Sequence, residues 1–164
     1  NHPKNNPMEY KTKVQAEAGK QDITITREFE LPVDLLFRAY TEADILEQWM
    51  GTSVLKLENK RHGSYQFITT DPKGNKHGFN GTIHEFAPGS RITRTFEMEN
   101  GSFGVQLEFL EFEPLGEERS KLSIHSIFRS VEQRDGLLKL PFAYGINMAH
   151  DRLQEIAVKL NHQA

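Results

Sequence analysis

Between Ser53 and Arg129 apolar residues recur with a period of two, and turn-forming residues interrupt the pattern at short intervals. The breaks fall at Arg61-His62-Gly63, Asp71-Pro72-Lys73-Gly74, Pro88-Gly89, Asn100-Gly101 and Pro114-Leu115-Gly116. This spacing predicts six antiparallel strands joined by hairpins. Alternation of this kind marks a sheet with one buried face, traced through Tyr65 and Phe67, Ile92 and Phe96, Phe103 to Phe109 at every second residue, then Leu122, Ile124 and Phe128. So long a meander must twist and curl, and something has to cover its concave side.

The flanking segments supply the cover. Tyr10, Thr12, Val14 and Ala16 alternate with polar neighbours, Gly19 permits a turn, and Ile23, Ile25 and Phe29 resume the pattern, predicting an N-terminal hairpin. Pro32 opens a short helix carrying Val33, Leu36, Phe37 and Tyr40, and a second runs from Glu42 to Trp49, stopped by Gly51. Ser130 is placed to cap a third helical stretch, and Pro141 separates it from a final helix of about five turns. Phe142, Ile146, Ala149, Leu153, Ile156, Ala157 and Leu160 form the apolar stripe of that helix. The predicted class is α+β, a helix-grip: a curved antiparallel sheet around a long C-terminal helix, with two short helices after the first strands. Residues 1–8 read as a disordered lead and 9–162 as a single domain. The aromatics at Trp49, Tyr65, Phe67, Phe79, Phe96, Phe128 and Phe142 are the candidates to line a cavity between sheet and helix.

The chain of 164 residues is long enough to bury roughly two-thirds of its unfolded surface. Its net charge is −3, and Lys56, Lys60 and Arg61 make the tightest basic cluster, so no nucleic-acid partner is expected. It has no cysteine, which removes disulfides, thiolate nucleophiles and thiolate metal sites and suits a cytoplasmic setting. No apolar run reaches the ~20 residues of a membrane span. Asn80-Gly81-Thr82 and Asn100-Gly101-Ser102 match a glycosylation triplet, and the second reads as a hairpin turn.

Seven histidines invite a metal, yet none sits at a metal-helix spacing, and His84, His125 and His150 read as surface or satisfied polar residues. There is no nucleophile elbow, phosphate loop or dinucleotide fingerprint, so no metal or cofactor is expected. The carboxylates Glu108, Glu111, Glu113, Glu117 and Glu118 read as a solvated edge. Arg27 shares parity with Ile23, Ile25 and Phe29, so it needs a carboxylate, carbonyls or a ligand anion, and the plainer reading is a strand-edge arginine that snorkels to water or pairs with a Glu. Tyr65, Tyr144 and His125 remain as polar handles for a pocket.

Several blocks taken together resemble the family of activators of Hsp90 ATPase homologues. They are Ile23-Thr24-Ile25-Thr26-Arg27-Glu28-Phe29 leading to Pro32, Val33 to Thr41, and Trp49-Met50-Gly51. In the strands they are Gly63-Ser64-Tyr65-Gln66-Phe67, Asp71-Pro72-Lys73-Gly74, Phe79-Asn80-Gly81-Thr82, and Glu85 through Pro88 to Arg91. The last are Ser130 to Asp135, Gly145, and Asp151-Arg152-Leu153. The resemblance runs from about Tyr10 to Leu160 and places the chain in the helix-grip superfamily of START-like lipid-transfer domains and polyketide cyclases, also called SRPBCC. It implies a pocket for an apolar or aromatic small molecule; in the binding reading Arg27 would orient an acidic group of that ligand. The family's glycine pair is His62-Gly63 here, and its Gly-Met at the last helix is Pro141-Phe142, which sets a bulky ring where the pocket would be lined.

Three readings follow. The first is binding of an apolar or aromatic small molecule; the second is a cyclase or lyase-type enzyme using the same cavity. The third, a chaperone-associated stress-response module, ranks last because the chain lacks the additional binding domain of the eukaryotic members, and a chaperone partner is not expected. An apolar strip on the convex side, Ile68 with Phe86, would point to a partner or a homodimer.

Overall fold

The computed structural model describes residues 9–163, so the predicted disordered lead lies outside the described residues. Eight strands form one antiparallel sheet: β1 Lys13–Gln15, β2 Asp22–Phe29, β3 Ser53–Leu57, β4 Ser64–Thr70, β5 Lys76–Ala87, β6 Arg91–Met98, β7 Val105–Gly116 and β8 Arg119–Ile127. Their spatial order is β1-β2-β8-β7-β6-β5-β4-β3, so β3 to β8 form the six-strand meander and its last strand, β8, returns to pair with β2 of the N-terminal hairpin. The helices are α1 Val33–Thr41, α2 Ala43–Met50, α3 Val131–Leu138 and α4 Phe142–Gln163. This is the predicted α+β helix-grip, with α4 longer than expected at 22 residues, about six turns.

Local chemistry sets the element ends. Gly51 closes α2 in the left-handed region at φ 64°, donating its N–H to the Glu47 carbonyl, a conformation that costs a side-chain-bearing residue steric strain. Ser130 caps α3 by accepting the Gln133 N–H at 3.1 Å. In the Asp71 hairpin one carboxylate oxygen accepts both Lys73 N–H and Asn75 N–H, at 2.9 and 2.8 Å, while Gly74 takes a positive φ.

The core lies between the concave face of the sheet and the helices. Ile23, Phe29, Leu31, Leu36, Leu46, Leu110, Leu122 and Leu153 are essentially sealed from solvent, each contributing on the order of 1.5–3 kcal/mol of apolar burial. Edge-on aromatic contacts tie α1 to the sheet, with the Phe37 and Phe112 rings 5.0 Å apart and the Tyr40 and Phe112 rings 5.6 Å apart.

The structure corrects four readings of the sheet. In β7 the inward residues are Gln106, Glu108, Leu110 and Phe112, while Val105, Leu107 and Phe109 face out, the reverse of the predicted trace. A strand can present one parity only, and buried Leu110 with Phe112, whose ring meets Phe37 and Tyr40 of α1, decide it for the whole strand. Glu108 is therefore buried and not part of a solvated edge. The last hairpin turns at Glu117-Glu118, with Gly116 paired to Arg119, and Pro114-Leu115-Gly116 forms a bulge inside the strand. Phe86 lies on the concave side against Phe37, rings 5.5 Å apart, because a bulge between Ile83 and Glu85 shifts its parity. The apolar patch on the convex side is instead Leu107 and Phe109, beside Ile127 on β8.

Gly81 in β5 is a close approach: a Cβ there would overlap the Thr95 carbonyl oxygen and the Tyr65 hydroxyl, which donates to that same oxygen. Gly81→Ala is expected to lower the unfolding free energy by about 2 kcal/mol in a urea titration, through overpacking against backbone that cannot yield.

Candidate functional site: a cavity with a buried ion pair

The sheet curls further than α4 can fill. Between them remains a cavity of about 310 Å³, walled by β2, β4 to β8, α1, α2, α3 through Leu137, and the first half of α4. Phe79 and Phe96 stack 5.5 Å apart along one wall, and Trp49 is anchored from α2 by donating its indole N–H to the Ala39 carbonyl at 2.8 Å. Ile25, Ile124, Ile146 and Ala149 complete much of the hydrocarbon lining.

Six of the seven aromatics expected to line a pocket do border this cavity: Trp49, Phe67, Phe79, Phe96, Phe128 and Phe142. Phe142, at the start of α4, takes its place in the wall without closing the space. Tyr65 does not line it; its ring packs on Phe67 at 5.1 Å and beneath the Arg94 guanidinium at 4.9 Å. Arg27 also lies elsewhere. Its guanidinium reaches Thr12, Asn147 and Asp151, with Nη2 donating to Asp151 Oδ1 at 2.9 Å. Its carboxylate partner is thus the half-exposed Asp151 of α4, and the inward parity read from sequence is met by an ion pair. Tyr144 is exposed beside Tyr10, and His125 pairs with Asp22 on the outer face.

Sequence reasoning missed the cavity's polar groups. Arg94 on β6 donates from Nε to Glu108 Oε1 at 3.0 Å, and Gln106 Nε2 donates to Glu108 Oε2 at 2.9 Å. Arg94, Gln106 and Glu108 all border the cavity, and the two charged side chains are only 12% and 11% exposed. Burial opposes the charge on Arg94, but Tyr65 and the Glu108 carboxylate outweigh it and raise its pKa above the ordinary arginine value. Parity carried the signal: Arg94 alternates with Ile92 and Phe96, and Glu108 with Leu110 and Phe112.

A second polar cluster backs the wall. His150 on α4 is fully buried, with Nδ1 at 2.9 Å from Thr12 Oγ1 and Nε2 at 3.0 Å from the hydroxyl of Tyr40, itself a cavity residue. Burial, and then the nearby Arg27 charge, push the His150 pKa down to about 3, so the imidazole is neutral; burial raises the Tyr40 pKa, so the phenol keeps its proton. Among the described residues no three histidine, aspartate or glutamate side chains gather as a metal site would require, and no helix is long and apolar enough to cross a membrane.

A model of the family described as activator of Hsp90 ATPase homolog 1-like protein matches residues 30–157. No curated protein matches the chain at a significant level. Among solved structures, the chain is similar to Ms6760 from Mycobacterium smegmatis, with a TM-score of 0.79 at 18% identity over 88% of this chain and 95% of that one. It is similar to a protein from Rhodobacter sphaeroides, with a TM-score of 0.78 at 20% identity over 90% of this chain and 99% of that one. DynU16, a protein of the dynemicin biosynthetic locus, gives a TM-score of 0.63 at 15% identity over 83% of this chain and 46% of that one. At these identities the likeness is one of fold.

Proposed function

The chain belongs to the activator of Hsp90 ATPase homolog 1-like family, and from that premise we propose that it binds an apolar or aromatic small molecule in the cavity between the sheet and α4. The observation that carries this reading is an open, aromatic-walled space with one internal ion pair at its side. A volume of about 310 Å³ is at the lower end of the ~300–1,000 Å³ typical of ligand pockets, which favours a compact body of two or three rings over a long acyl chain. Trp49, Phe67, Phe79, Phe96, Phe128 and Phe142 provide the apolar contact. The Arg94–Glu108 pair replaces Arg27 as the group that orients the ligand, and because that pair is neutral as a unit it favours a neutral head over a carboxylate.

The test is a thermal-shift and calorimetric screen with naphthalene-sized neutral aromatics against matched naphthoates. The neutral compounds are expected to raise Tm and the naphthoates to do so far less. Ala149→Phe, which adds a ring into the cavity from α4, is expected to weaken the neutral binders at least tenfold while the far-ultraviolet circular dichroism stays unchanged. Equal response of the parent and Ala149→Phe would show that the compounds bind elsewhere.

The second reading, a cyclase or lyase-type catalyst, rests on the ionisable groups of the wall: a carboxylate, a guanidinium and a phenol facing one space. The fold shared with DynU16 of a biosynthetic locus is in keeping with it. It is separated from pure binding by whether a bound reactive ketone is recovered chemically changed. The cysteine-free composition fits the cytoplasmic location that we assign.

A further inference from the structure

Resting on the cavity reading above, we infer that Tyr40 donates a hydrogen bond to an acceptor oxygen of the cavity's ligand, and that a one-way relay Arg27 → Thr12 → His150 → Tyr40 forces it to do so. The direction follows from which groups can give and which can take. Arginine has only donors, and Arg27 Nη1 donates to Thr12 Oγ1 at 3.1 Å. Thr12 is 2% exposed, and among the described residues the one other polar atom within hydrogen-bond reach of Oγ1 is His150 Nδ1. The threonine proton must go there, since an unsatisfied buried donor costs about 1–3 kcal/mol. His150 then carries its own proton on Nε2 and gives it to the Tyr40 oxygen, 3.0 Å away. With its oxygen occupied as an acceptor, Tyr40 keeps a proton that has no protein acceptor among the described residues, and the open space it borders is the cavity.

The opposite tautomer would let Tyr40 donate to Nε2, but it leaves the Thr12 hydroxyl proton buried without a partner. The relay therefore selects one tautomer. The ligand class follows: a flat apolar body bearing a neutral acceptor oxygen, carbonyl or ether, in reach of Tyr40. A neutral imidazole and a protonated phenol, both enforced by burial, are the forms this requires.

The first measurement needs no variant: nitrogen-15 NMR of the histidine side chains in the whole chain is expected to show His150 protonated at Nε2 and bare at Nδ1. The Nδ1-protonated form would overturn the inference. The second uses 2-acetylnaphthalene and naphthalene as probes. Tyr40→Phe is expected to weaken 2-acetylnaphthalene about fivefold, to raise the infrared carbonyl stretch of the bound ketone, and to leave naphthalene within about twofold. Thr12→Val is expected to act in the same direction and Thr12→Ser to retain parent behaviour. If both probes bind and their affinity ratio and the carbonyl stretch are the same in Tyr40→Phe, the inference is wrong while the cavity reading stands. If neither probe binds the parent, the cavity reading falls and the inference with it.

Discussion

Glu108→Ala is expected to lower the unfolding free energy by about 3 kcal/mol in urea titration near neutral pH, whereas the double change Arg94→Met with Glu108→Leu is expected to fall within about 1 kcal/mol of the parent. The Arg94 guanidinium is nearly sealed and rests on the Tyr65 ring, so removing its carboxylate strands a cation and also deprives the Gln106 amide of its acceptor. Breaking a buried pair typically costs 3–5 kcal/mol, and the low end applies because the adjoining cavity can admit water to the freed charge. Replacing both partners by apolar residues of similar size removes the desolvation penalty along with the attraction, so the two effects offset. A double variant whose loss equals the sum of the two single losses would show that the groups do not compensate one another.

The order of elements was legible because each rests on local chemistry. The alternation Ile23, Ile25, Arg27, Phe29 identified β2 and its buried face, Gly51 marked the end of α2, and Ser130 marked the start of α3. Parity was harder where two apolar sets compete within one strand. Val105, Leu107 and Phe109 form one set in β7, and Leu110 with Phe112 form the other. The choice between them is made by α1, some seventy residues earlier in the chain, through Phe37 and Tyr40. Once that parity is reversed, Glu108 moves from the outer surface to the cavity wall. The bulge at Ile83/Glu85 acted in the same way on Phe86, since one inserted residue changes the face and leaves no strong compositional mark. The aromatic walls were visible as residue types, but their grouping around one space depends on how far α4 covers the curled sheet. The contact between Tyr40 and His150 links residues 110 positions apart, and no spacing rule reaches that far.

His150 is expected to make the protein lose stability on mild acidification, well before most carboxylates titrate. In the folded chain its pKa is pushed down to about 3, by burial first and by the Arg27 charge second, while the unfolded chain has the ordinary value near ~6.5. Between those values the unfolded state binds the proton and the folded state does not, so unfolding takes up a proton and stability falls as pH falls. The contribution is fully present above pH ~6.5 and is lost progressively toward pH ~3. At ~1.36 kcal/mol per pH unit, moving from pH 7 to pH 5 removes about 2 kcal/mol on account of this one residue, and on the order of 4–5 kcal/mol over the whole window. The check is the pH dependence of the unfolding free energy in the parent and in His150→Gln. The glutamine keeps a donor and an acceptor between Thr12 and Tyr40 but cannot take up the proton. Its stability at pH 7 is expected to be lower than the parent's, and the difference between the two proteins is expected to shrink by about 2 kcal/mol at pH 5. Parallel curves for the two proteins would mean that His150 accepts its proton in the folded state, which would require the Thr12–His150–Tyr40 chain to open at a pH where burial should hold it shut.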